Sequence, residues 1–303
     1  MHYASQWRAD IASSIAPLIA RNPHVGAIMI GGSTSRDRAD SFSDIEIGVF
    51  WSRSPREEER LAPIEPAGGV FWELDPYDPE ADTWMEEWGL NNLKMDIRNM
   101  TIDGVEQQLS RVLNNYETDL FLQQTLSAIL HGIPLHGHDQ LKRWQERLVH
   151  YPAELSEAMV RHYSGEELRE WCWWVDQLLT RGDIPLVYHS FNDAIFQVIS
   201  MLMGLNQIYH PGFKWLRYSL SELHILPSHL GERIDEVYTR HPRDGLKMIR
   251  SIVLETYDLI AEHLPQLGKE IDQARSNFLH QRQQFEQPPS LPFSLSPSQE
   301  SAS

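Results

Sequence analysis

The sequence predicts an α+β protein, with a small sheet and its helices in the first half and an all-α helical bundle in the second. Two observations carry that reading. Apolar and polar residues alternate at period two in segments confined to roughly the first 100 residues, as they do in strands with unlike faces. From Asp103 onward the apolar residues recur at steps of three and four, the spacing of one helix face. A third observation bounds the size: 303 residues, 41% of them hydrophobic, can fill one large core or two ordinary ones.

Taken in order, Trp7, Ile11, Ile15 and Leu18 mark a first helix, which should end at Asn22-Pro23 because a residue before proline is biased away from helix. VGAIMI follows as a strand. After a glycine segment comes DIEIGVFW, where Ile45, Ile47 and Val49 alternate with Asp44, Glu46 and Gly48. GGVFWEL is a third strand and NLKMDIRNM a fourth, in which Leu93, Met95 and Ile97 alternate with Lys94, Asp96 and Arg98. VEQQLSRVL and DLFLQQTLSAILHG then read as helices, the second with a glycine stop, and IPLHGHD as a loop. Helical spacing returns at Leu168, Trp171, Val175 and Leu178, again at Phe191, Ile195, Val198 and Leu202, and again from Leu246 through Ile249, Val253, Tyr257 and Ile260 to Leu264. The chain is therefore divided into residues 1–147, a helical domain at 148–283, and a tail at 284–303 whose Pro and Ser content and lack of periodicity predict disorder.

Charge and cysteine usage narrow the function. A formal charge of −17 argues against a protein that grips long nucleic acid, which is held by arrays of Lys and Arg. The single cysteine, Cys172, allows no internal disulfide and no thiolate metal cluster. No basic and apolar leader opens the sequence and no segment is apolar enough to span a membrane, so a cytoplasmic protein is expected, as a monomer or homodimer.

The chemistry concentrates in GGSTSRDRADSFSDIEIGVFW, residues 31–51. Glycines between a strand and a helix let backbone approach a ligand, and free N–H groups at that helix start attract phosphate. Asp44 and Glu46 share one strand face, about 7 Å apart by the rise of ~3.3 Å per residue. Two such carboxylates can turn their oxygens onto Mg²⁺, which favours one or two carboxylates together with nucleotide phosphates. Asp96 lies on the polar face of another strand and is placed to be a third acid.

This pattern of apolar strand, Gly32-Ser33, ten intervening residues, Asp44-Ile45-Glu46-Ile47, and later a lone acid in KMDIR resembles the nucleotidyltransferase superfamily that includes DNA polymerase beta. The length and the helical second half resemble its antibiotic-modifying members, the aminoglycoside and lincosamide enzymes, and their uncharacterised bacterial relatives. The resemblance implies a small mixed sheet in the first domain. It implies that Gly32 and Ser33 hold a triphosphate, that Asp44 and Glu46 ligate Mg²⁺, and that Asp96 serves as metal ligand, base, or both. In LNQIYHPGFKWL, Pro211-Gly212 makes a turn that presents Lys214, and the stretch is similar to one whose lysine reaches the nucleotide phosphates in two-domain relatives. Tyr209 would stack on the nucleotide or hydrogen-bond to it.

Arg36 and Arg38 follow the glycines and would offset phosphate charge, though pairing with Asp37 and Asp40 would explain them equally well. Trp171, Trp173 and Trp174 read as packing residues, and His131, His136 and His138 as solvated. Glu73, Glu117, Glu166 and Glu167 are candidates for a separate general base. The leading expectation is a transferase that moves a nucleoside monophosphate from an NTP, ATP first among them, to a hydroxyl of a small molecule. The acidic composition favours a cationic acceptor of the aminoglycoside kind. Two other readings use the same residues: transfer to a protein or an RNA end, and a nucleotide-binding regulator without turnover.

Overall fold

The computed structural model describes residues 1–280, apart from the side chains of Glu166, Glu167, Arg169, Cys172 and Trp173. The tail predicted at 284–303 lies outside the described residues. The first half opens with α1 (Tyr3–Ile19), β1 (Val25–Ile30), a one-turn helix α2 (Gly32–Ser35), β2 (Ile45–Trp51) and a short α3 (Glu57–Leu61). β3 (Val70–Leu74), β4 (Trp84–Leu90) and β5 (Leu93–Thr101) follow, then α4 (Ile102–Leu113), α5 (Leu120–His131), β6 (Ile133–His136) and α6 (His138–Leu148). The strands form one mixed sheet in the order β3-β4-β5-β2-β1-β6, in which only β2 and β5 run parallel.

Each sheet face has its own core. Ile28, Ile30, Ile45, Ile47, Val49, Met95 and Ile97 pack against Ala12, Ile15 and Ile19 of α1. The opposite face gives Ala27, Met29, Phe50 and Met100 to a core shared with α4, α5 and α6. The second half is helical: α7 (Ala153–Tyr163), α8 (Glu166–Arg181), α9 (Ile184–Leu205), α10 (Leu216–Glu222), α11 (Leu230–Thr239), α12 (Pro242–His263) and α13 (Gly268–Leu279). Phe191, Val198, Leu202, Ile249, Val253, Tyr257 and Ile260 centre its core. Trp171 stacks on Phe278 with ring centroids 5.9 Å apart, whereas Trp174 is exposed. Among the described residues no helix is long and apolar enough to cross a membrane.

Three expectations need correction. The buried stripe of α1 is Ser5, Arg8, Ala12, Ile15, Ala16 and Ile19; of the predicted face Trp7, Ile11, Ile15 and Leu18 it keeps Ile15, while the other three are half-buried. Arg8 belongs to that stripe because its buried guanidinium donates to the Ser43 and Asp40 carbonyl oxygens at 2.7–3.0 Å, tying α1 to the loop before β2. β4 was not predicted, because Glu86 stands at an inward position where an apolar residue would complete the alternation. It is 2% exposed, accepts two hydrogen bonds from Asn99 and pairs with Arg60 at 3.3 Å. IPLHGHD contains β6 rather than a loop, with Pro134 tolerated because the strand lies at a sheet edge.

Candidate active site

The parallel register of β2 and β5 sets Glu46 beside Asp96 and Gly48 beside Arg98. Side chains alternate along strands, so these residues leave the face opposite α1, together with Met29 of β1. There a cavity of about 360 Å³ opens between the sheet, α5 and the segment joining α9 to α10. Gly32, Ser33, Arg36, Glu46, Asp96 and Lys214 all line it. Asp44, one residue before β2, is half-buried and is not among the residues lining the cavity, but it is near enough for its charge to act on Glu46 and Asp96.

Gly32 is the tightest point of the site. Its φ is +60°, and a Cβ there would stand 2.5 Å from the Glu46 carboxyl carbon. Only glycine combines that backbone with that approach, so the sequence places the loop's backbone directly on the carboxylate. Burial pushes the Glu46 carboxyl up from its ordinary value, with Asp44 adding to the rise, while Lys214, Arg36 and Arg98 oppose it. Burial likewise raises Asp96 to about 6; Lys94 opposes this, and Asp44 and Glu87 reinforce it. Lys94 bridges Glu87 at 2.7 Å and Asp96 at 3.1 Å.

The arginines behind the glycine loop do not pair with Asp37 or Asp40. Arg36 donates to the Ser127 carbonyl and hydroxyl at 3.1 and 3.0 Å and to the Gly32 carbonyl at 3.4 Å, tying the loop to α5. Arg38 lies over the Tyr218 ring at 4.5 Å. Lys214 arrives on a loop held from below: Gly212, at φ +91°, donates to His210 Nδ1 at 2.9 Å, and Phe213 stacks on Phe196 at 4.0 Å. His210 is fully buried, and burial lowers its pKa to about 4.

Not every predicted residue joins. Tyr209 is 3% exposed and packs on Tyr151 with centroids 4.8 Å apart, in the core behind the loop, so it offers no ring to a nucleotide. Glu117 is bonded to Arg111 at 2.7 Å outside the cavity, and Glu73 sits on the exposed β3. The side chains of Glu166 and Glu167 lie outside the described residues. Arg98, Gln124 and Tyr218 line the cavity without having been singled out. For Arg98 the signal existed, since it shares the alternation that placed Asp96.

Among the described residues no three His, Cys, Asp or Glu side chains gather as a ready-made metal cage. The donor set nonetheless fits Mg²⁺, which takes one or two carboxylates and draws its remaining oxygens from phosphates and water. Glu46 and Asp96 are such a pair, and Gly32 leaves the room above Glu46 that a side chain would fill.

Residues 120–216 match a family described as a domain of unknown function, DUF4037; the matched segment runs from α5 through the Lys214 loop. No curated protein matches the chain in sequence. Among solved structures the chain is similar to a nucleotidyltransferase-like protein from Exiguobacterium sibiricum 255-15, at 13% identity and a TM-score of 0.42, over 85% of this chain and 78% of that one.

Proposed function

We propose that the chain is a nucleotidyltransferase that moves a nucleoside monophosphate from an NTP, with ATP the first candidate, to a hydroxyl of a small molecule. One observation carries the reading: Glu46 and Asp96 stand side by side on adjacent strands, with the Gly32 backbone pressed onto Glu46 and Lys214 in the opposite wall. Mg²⁺ held by Glu46 and Asp96, with Asp44 beside them, would offset the charge of the bound triphosphate. Gly32 and Ser33 bring backbone close to the phosphates. The acceptor oxygen bonds to the alpha phosphorus as the bond to pyrophosphate breaks, and the hydroxyl proton passes to an Asp96 oxygen. Lys214 accompanies the pyrophosphate as it leaves.

The cavity wall also bears on the acceptor. Its cationic side chains are Arg36, Arg38, Arg98 and Lys214, against Glu46 and Asp96 as acids. The site's balance thus runs opposite to that of the whole chain, so the overall acidity does not favour an aminoglycoside-like acceptor in this cavity. A small-molecule hydroxyl remains the reading that a 360 Å³ cavity favours over a protein surface or an RNA end. The test is the melting temperature with each of the four NTPs, with and without Mg²⁺, in the wild type and in Asp44→Asn. A Mg²⁺-dependent rise with one NTP, lost in the variant, supports the reading; no rise with any NTP counts against it.

A further inference from the structure

Arg98 is a half-buried cation of the cavity wall to which no task has been assigned. Although the charges of Glu46, Asp96 and Asp78 act on it, among the described residues no carboxylate is close enough to form an ion pair with it. Its contacts are weak: one N–H points at the Met85 sulfur at 3.7 Å, and the guanidinium lies 5.4 Å from the Phe121 ring centre. Asp96 is already met by Lys94, and Arg36 is bonded to Ser127 and Gly32. A guanidinium carries five N–H donors, and those of Arg98 that protein groups do not meet are open to the cavity rather than buried. Carboxylates and phosphates are the groups whose geometry matches that fork.

Gly48 neighbours Arg98 on β2 and Met85 neighbours it on β4. Met29, Phe50, Met100, Ile129 and Phe213 add further apolar side chains to the cavity lining, and a Cβ at Gly48 would meet Met29 at 3.2 Å. Methionine side chains adapt to the shape of an apolar ligand. Clefts that are largely apolar with a few convergent polar groups are the usual form of small-molecule sites.

Building on the nucleotidyltransferase reading, we propose that the acceptor is an apolar molecule bearing a carboxylate or phosphate: Arg98 takes the anion and the apolar side chains of the cavity lining take the body. Arg98 lies two residues beyond Asp96 on the same strand face, about 7 Å away by strand rise. The acceptor's hydroxyl and anionic group are therefore separated by a spacer of several bonds.

The experiment is calorimetric titration of the full chain with phenylacetate, benzyl phosphate, benzyl alcohol and benzylamine, which share a ring and differ in charge. At least one anion is expected to bind about ten-fold or more tightly than the alcohol and the amine, and the tighter anion identifies which group the acceptor carries. Arg98→Met should erase that preference, and Arg98→Lys should keep part of it. Equal or tighter binding of benzylamine or benzyl alcohol overturns the proposal. So does an anion preference that survives in folded Arg98→Met; if that variant does not fold, Arg98→Lys with undiminished anion affinity does the same. NTPs titrated separately into the wild type keep the two readings apart: anion binding without any nucleotide response leaves the Arg98 site standing and removes the nucleotidyltransferase.

Discussion

Glu46 of β2 and Asp96 of β5 are partners in a parallel register, so two carboxylates leave one sheet face from neighbouring strands in a shared half-buried wall. Burial pushes both acids up from their ordinary range, so each is held there against its own preference for solvent. Groups so held are common where a ligand completes the site. Glu46→Gln and Asp96→Asn should leave the melting temperature of the free protein unchanged or raised, and each should remove Mg²⁺-dependent stabilisation by nucleotide. A large fall in the free protein's melting temperature would assign the pair to the core instead.

Gly32 should be irreplaceable for the site while its neighbour is not. Gly32→Ala forces a side chain into positive φ and onto the Glu46 carboxylate, at an expected cost of about 1–2 kcal/mol with loss of nucleotide binding. Gly31→Ala meets nothing nearer than 4.0 Å and should be close to neutral. Denaturant melts and nucleotide titrations of both variants check the contrast.

His210 makes the Lys214 loop sensitive to acid. Burial holds it neutral with a folded pKa of about 4, below the ordinary value for histidine, so between those values the unfolded chain binds more protons than the folded one. Its stabilising contribution is full above the unfolded pKa, about 6.5, and falls by about 3 kcal/mol as pH drops toward 4. His210→Gln should flatten that dependence in a series of denaturant melts from pH 7.5 to 4.

Glu59 contributes in the same direction from the surface. Arg53, and then the Arg56 backbone and side chain, hold its carboxyl well below the usual carboxylate range. This stabilisation is present above the unfolded pKa and is lost as pH falls below it. Glu59→Gln should therefore lower stability at neutral pH and leave it unchanged in strong acid.

The buried pair of Arg60 and Glu86 should behave as a unit. Removing Glu86 alone leaves a guanidinium 6% exposed without its carboxylate, which is expected to cost about 3–5 kcal/mol. The double change Arg60→Met with Glu86→Leu should cost less than either single change, which a double-mutant cycle of urea melts reads directly.

The strands that frame the site were legible because Ile45, Ile47, Met95 and Ile97 alternate cleanly with Glu46 and Asp96, a signal set by the two-residue period alone. The loop presenting Lys214 was legible from Pro211-Gly212, whose glycine takes the positive φ the turn requires. β4 was not, because Glu86 occupies a core position that makes sense only once Arg60, 26 residues earlier, is folded against it. Tyr209 was misplaced for a related reason: a tyrosine beside a functional loop reads the same whether its ring faces the ligand or the core, and only packing on Tyr151 decides. Arg98 carried the right alternation, but its lack of an ion-pair partner is a property of three-dimensional surroundings.

The most direct test of the Glu46–Asp96 site is calorimetric titration of an ATP analogue with a methylene group between the alpha and beta phosphorus, which cannot be turned over, in Mg²⁺ and in EDTA. One binding event per chain is expected in Mg²⁺, weakened at least about ten-fold in EDTA and in Glu46→Gln. Equal affinity in Mg²⁺, in EDTA and in folded Glu46→Gln would contradict it.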